Sequence, residues 1–214
     1  MQEVQPTRPR LRGVSHQWAF FAALAAGAAL VATAPSGRAR AAVAVYAVSL
    51  AGLFGTSAIY HRATWRTART RLRMRRVDHS MIFVLIAGTY TPIAVLALRG
   101  ALGTAILVVA WAGAAGGVGL QFVPGQRQKW AIAVPYVALG WVAVAGLPRL
   151  VDAIGLGPTL AIVGGGLLYS AGAVVYARRR PDPVPAVFGY HEVFHALVIA
   201  AAAVHFCVVA FAVV

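Results

Sequence analysis

Hydrophobic residues in this chain come in long unbroken runs, without the strict alternation of a half-buried strand. A helix needs roughly 20 such residues to cross about 30 Å of hydrocarbon. Seven runs reach that length, at 17–35, 41–60, 79–98, 101–122, 130–148, 157–177 and 191–213. The breaks between them carry turn residues: Pro35-Ser36-Gly37, Arg99-Gly100, Pro148 to Gly157, and Arg178 to Gly189 with its three prolines. The pattern predicts an all-α, seven-transmembrane helix bundle whose consecutive spans are antiparallel neighbours. Residues 1–16 form an N-terminal tail and 17–214 the transmembrane domain. Pro92 and Pro135 fall inside spans, where neighbouring helices satisfy the freed carbonyls.

Composition supports the membrane reading. Only 11% of the 214 residues are charged and mean hydropathy is +0.76, where a soluble domain carries roughly 25% charge. The one cysteine, Cys207, excludes an intrachain disulfide and reads as a small buried apolar residue of the last span. The first run follows Arg8, Arg10 and Arg12 as a signal peptide would. It is too long for that, and with six more spans behind it reads as a retained helix.

A net charge of +14 would suit a nucleic-acid partner. The placement of the charges argues against one, because they cluster in the short segments between spans, as topology signals do. Arg8, Arg10 and Arg12 lie in the tail, and Arg62, Arg66, Arg69, Arg71, Arg73, Arg75 and Arg76 in the second loop. Arg127 and Lys129 lie in the fourth loop and Arg178, Arg179 and Arg180 in the sixth, making 15 on one side. The opposite side holds four, Arg38, Arg40, Arg99 and Arg149. This bias predicts a cytoplasmic N-terminus and an extracytoplasmic C-terminus. The arginine run of the second loop is expected on anionic headgroups, with membrane lipids as its partner.

Three polar clusters then fall at one depth, the cytoplasmic face. Ser57 and His61 close the second span, Asp78 and His79 open the third, and His191 and His195 open the last. Ionisable residues inside a span are costly and mark function by default. His191 and His195 are four apart, so they share a helix face and can reach one ion, and His61 supplies a third nitrogen. Three protein ligands with water in the fourth position is the usual layout of catalytic zinc. Asp78 is placed to hold that water or orient a ligand ring, and Ser57 to hydrogen-bond the water or a substrate oxygen. His79 points about 100° away from Asp78 on the helix and reads as an interfacial or supporting residue. His16 reads as packing more readily than as part of the site. Glu192 reads as facing the cytoplasmic interface. His205, about 15 Å deeper than His195, suits a polar cavity or a packing role equally. The stretch His191-Glu192-Val193-Phe194-His195 also fits the H-E-x-x-H zinc-protease pattern, with nothing after it that would clamp a peptide.

Longer stretches around these residues resemble the hemolysin III family, the bacterial branch of the progestin and adipoQ receptor superfamily. They are Thr56-Ser57-Ala58-Ile59-Tyr60-His61, Asp78-His79-Ser80-Met81-Ile82-Phe83 running into Ala87-Gly88-Thr89-Tyr90-Thr91-Pro92, and Gly189-Tyr190-His191-Glu192-Val193-Phe194-His195. Arg12-Gly13-Val14-Ser15-His16 is similar to the family's opening motif. The resemblance covers the whole chain. It implies a multi-pass protein of the bacterial inner membrane with zinc held by His61, His191 and His195, and with Asp78 and Ser57 beside the metal or its water. It also implies hydrolysis of a lipid amide bond, as in the related alkaline ceramidases, on a lipid-like substrate entering from the bilayer. Two other roles stand beside that one: a sensor or membrane-homeostasis protein with a structural zinc, and the cytolysis in the family name.

Overall fold

The computed structural model describes residues 9–35, 37–123 and 129–214. Arg8 of the expected tail, Ser36 of the first turn and Arg127 of the fourth loop lie outside the described residues, as does the side chain of Lys129. The described chain is helical almost throughout, with one isolated bridge between Val184 and Phe188 and no strand. Eight α-helices make seven spans: α1 Val14–Thr33, α2 Arg38–Arg62, α3 Ala68–Pro92, α4 Gly100–Phe122, α5 Lys129–Gly140, α6 Leu147–Ile154, α7 Leu156–Arg178 and α8 Tyr190–Val208. Each span packs on the next in sequence, as the short connections require, and α1 also meets α8, bringing the first span against the last.

Span three corrects the expected boundaries most. Its helix begins at Ala68, eleven residues before the apolar run, because Thr67 caps it by accepting from the Thr70 amide at 3.1 Å. Arginine is a good helix former, so Arg69, Arg71, Arg73, Arg75 and Arg76 ride on α3 and the second loop shrinks to 63–67. The hydropathy pattern ended the helix where the hydrocarbon ends, but the backbone has no reason to stop there.

The expected turn from Pro148 to Gly157 is also replaced. Pro148 sits in the first turn of α6, where its missing N–H is no loss. The chain reverses only at Gly155, whose φ of 85° suits a residue without a Cβ. The real irregularity lies earlier, where α5 stops at Gly140 and a 3₁₀ segment, Trp141–Gly146, leads into α6. Tyr90 of α3 stitches this break: its hydroxyl donates to the Gly140 carbonyl at 2.6 Å and accepts from the Ala143 amide at 2.8 Å. Loosened backbone is tolerated at membrane depth only where protein satisfies it. Spans three and seven end differently, in π-helical turns at Ile93–Leu98 after Pro92 and at Val209–Val213.

Large apolar side chains point outward around the bundle, among them Trp18, Val48, Trp130 and Phe211. In water such a surface would drive aggregation, and in a bilayer it is the lipid face. Cys207 belongs to it: the thiol is exposed, contrary to the buried position expected, because the buried face of α8 runs through Ala201, His205 and Val208. Inside, one core joins Tyr46, Leu50 and Phe54 of α2 to Val198 and Ala202 of α8, and a second joins Phe83 of α3 to Ala110 and Ala114 of α4. Small residues set these contacts. A Cβ at Gly88 would collide with Ser49 of α2, and one at Gly117 with the Phe83 ring.

Candidate metal centre

The last turn of α2 carries Ser57 and His61 one above the other, and the first turns of α8 carry His191 and His195. Packing brings these two helix ends together. The ring nitrogens of His61, His191 and His195 all lie within 4.8 Å of one another, and His61 is the least buried of the three. The Nε2 atoms of His61 and His191 are 3.1 Å apart, against about 3.3 Å for two nitrogens sharing a tetrahedral zinc at 2.0–2.1 Å. His195 is 1% exposed, and its Nδ1 has no hydrogen-bond partner among the described residues. A buried polar atom left in this way calls for an explanation. Three imidazoles converging with their nitrogens inward form a cluster that can hold a metal ion.

Asp78 and Ser57 line one cavity together with His191 and His195. Asp78 Oδ2 is 3.9 Å from His61 Nε2, close enough to face an atom bound in the cluster yet outside hydrogen-bond range of the ring. Ser57 is 3% exposed and lines the same cavity as Asp78. Its Oγ is hydrogen-bonded to His16 Nδ1 at 2.8 Å, with the ring tautomer deciding which of the two donates.

Glu192 corrects the sequence reading, and His16 packs directly against the cluster. His16 is 3% exposed and its ring stacks on His195, with centroids 3.7 Å apart and planes 12° from parallel. Glu192 does not face the interface. It is 1% exposed, with Oε1 2.6 Å from Arg12 Nε and Oε2 accepting from the Gly189 amide at 2.8 Å. Both carboxylate oxygens are thus engaged away from the histidines, which removes the general base that a protease reading of H-E-x-x-H needs. The sequence held one hint of this pair, without showing that the two helix ends meet. The chain has only five acidic residues, and one of them opens the last span at the mouth where Arg12 opens the first.

The segment ahead of α1 closes over the cluster. Arg10 and Leu11 donate backbone hydrogen bonds to Ala186 and Val187 of the loop before α8. Gly13 then turns with φ 78°, and a Cβ there would lie 2.6 Å from the His61 Cβ.

Below the cluster runs a mostly apolar cavity, with about 160 Å³ open to the centre of a water molecule. Its walls come from α3, α5, α6, α7 and α8, including Ile86, Val144, Leu150, Tyr169 and Val198, and Ser57, Asp78, His191 and His195 stand at one end. His79 also lines it, with its ring against Tyr176. His205 lines this cavity, which is mostly apolar where a polar one was expected, and is anchored through Nε2, 3.0 Å from the Ile162 carbonyl. Trp141 and Ser170, joined at 3.0 Å, stand on the α5–α7 side.

Fold and site together define a seven-span membrane protein with a buried histidine cluster at the end of an apolar cavity. Residues 4–206 match the family model described as haemolysin-III related. The chain is 32% identical over 166 residues to the hemolysin-3 homolog of Bacillus subtilis (strain 168), covering 77% of this chain and 74% of that protein. It is also 32% identical over 168 residues to hemolysin-3 of Bacillus cereus, covering 78% and 73%. It is 26% identical over 165 residues to the human monocyte to macrophage differentiation factor, covering 76% and 66%. The chain belongs to the hemolysin III family, within the progestin and adipoQ receptor superfamily.

Proposed function

We propose that this protein is a zinc-dependent hydrolase of lipid amide bonds, seated in a bacterial inner membrane with its N-terminus in the cytoplasm. The observation that carries the reading is the junction of two unlike surfaces. A buried three-nitrogen cluster with a carboxylate beside it forms one end of a cavity whose remaining walls are apolar. A polar headgroup bond with an apolar chain attached suits that junction, and membrane lipids are the nearest source of such molecules.

His61, His191 and His195 would hold the zinc. When bound, zinc polarises a carbonyl and brings the pKa of a bound water to about 7. The chain's own residues do the rest. Asp78 stands 3.9 Å from the His61 nitrogen, placed to accept a proton from an attacking water and return it to the leaving amine. Ser57, hydrogen-bonded to His16 and lining the same cavity as Asp78, is placed to bond the water or a substrate oxygen. The apolar walls keep bulk water from competing with the substrate chain.

A second reading has its own support: the cluster ties α2 to α8, so zinc there can act as a staple. Asp78→Asn separates the two. A hydrolase loses turnover of ceramide-like or acyl-amide substrates while keeping its zinc. A stapled bundle shows no turnover in either form. Wild-type protein that carries zinc but cleaves no lipid amide contradicts the hydrolase.

A further inference from the structure

We propose that His16 is a positioning residue for the metal centre, fixing the plane of the His195 ring and the rotamer of Ser57. The inference rests on the metal-binding reading above. It concerns a residue on α1, a helix that supplies none of the three ligand nitrogens.

A histidine's last torsion is broad, so a rotamer alone does not fix the ring plane. Ligand histidines are normally held by donating the second ring N–H to a carboxylate or carbonyl. His195 shows no such bond at Nδ1, which is buried without a hydrogen-bond partner among the described residues. What it has is the His16 ring lying flat against it at 3.7 Å and 12°. His16 is itself held on two further sides. Phe54 meets it edge-on at 5.1 Å, and its Nδ1 is engaged by Ser57 at 2.8 Å.

Burial supports a purpose for this arrangement. Packing alone is served by an apolar side chain, yet a histidine stands here with Nε2 buried and without a hydrogen-bond partner. Leucine fills similar space without a flat face or a donor. Only a planar ring stacks, and only a ring with a polar nitrogen also orients Ser57. The pair of contacts reaches a histidine of the cluster through the stack and the Ser57 hydroxyl through Nδ1.

The test uses the full chain in detergent, with zinc affinity measured by chelator competition and ligand geometry read from the visible absorption of bound Co²⁺. His16→Leu keeps the volume and is expected to weaken zinc binding about tenfold, the usual cost of losing a residue that orients a ligand, and to shift the Co²⁺ bands. His16→Phe keeps the stack and is expected to retain most of the affinity and a spectrum close to wild type. A His16→Leu protein with unchanged affinity and spectrum overturns the proposal, whether or not its melting temperature falls. If His195→Ala still abolishes binding in that case, the metal reading stands without it. Wild-type protein that takes up neither ion overturns both.

Discussion

Arg12 Nε sits 2.6 Å from Glu192 Oε1, joining the residue before the first span to the first turn of the last. The acid is 1% exposed and the guanidinium side chain 20%, so the pair is one-sided: the carboxylate is enclosed while the arginine keeps contact with its surroundings. Glu192 also holds the Gly189 amide, and the neighbouring backbone pairs Arg10–Ala186 and Leu11–Val187 run alongside. One small region thus fastens the two ends of a seven-span chain beside the histidine cluster.

Removing one member of a buried pair strands the other, at a cost of about 3–5 kcal/mol. Glu192→Ala is therefore expected to lower the thermal midpoint in detergent strongly. Arg12→Leu should cost more than a surface pair yet less than Arg12 and Glu192 would if both were fully enclosed. Glu192→Gln should fall between Glu192→Ala and wild type, because the amide oxygen can still accept from Gly189. Equal melting of Glu192→Ala and wild type would show that the latch contributes nothing.

Gly13→Ala asks whether the latch reaches the metal centre. The left-handed backbone at Gly13 costs an ordinary residue about 1–2 kcal/mol, and the new methyl would press on His61. The expected outcome is a modest loss of thermal stability together with weaker metal retention on dialysis. Loss of stability with metal retention unchanged would mean that the strain is absorbed in the 9–13 segment and never reaches the ligand.

Tyr90→Phe tests the stitched break in span five. The change removes one acceptor for the Ala143 amide and one donor to Gly140, and an unsatisfied buried group costs about 1–3 kcal/mol. Thermal unfolding should show a loss in that range while metal content stays at the wild-type level, since the break lies away from the histidines. Metal loss in Tyr90→Phe would place the break and the centre in one cooperative unit.

Most of the span pattern was legible because a hydrocarbon slab imposes length, and length survives in a sequence. Boundaries were less legible where another force set them: Thr67 starts α3 by capping, and Pro148 begins a helix where the pattern suggested a turn. The histidine cluster was legible because His191 and His195 share a helix face and His61 ends a span at the same depth. His16 and Glu192 were not. Their roles depend on which helices pack side by side, and the meeting of α1 with α8 joins parts of the chain nearly 180 residues apart. Side-chain direction at a helix entrance, which turned Glu192 inward to Arg12, leaves no periodic trace.

The most direct measurement is the metal content of purified wild-type protein beside His61→Ala, His191→Ala and His195→Ala, by elemental analysis on folded, monodisperse samples. About one zinc per chain in the wild type, falling to a small fraction of that in each variant, is the expected result for a three-histidine site. Wild-type protein without stoichiometric metal, or variants that keep it, would contradict the site itself.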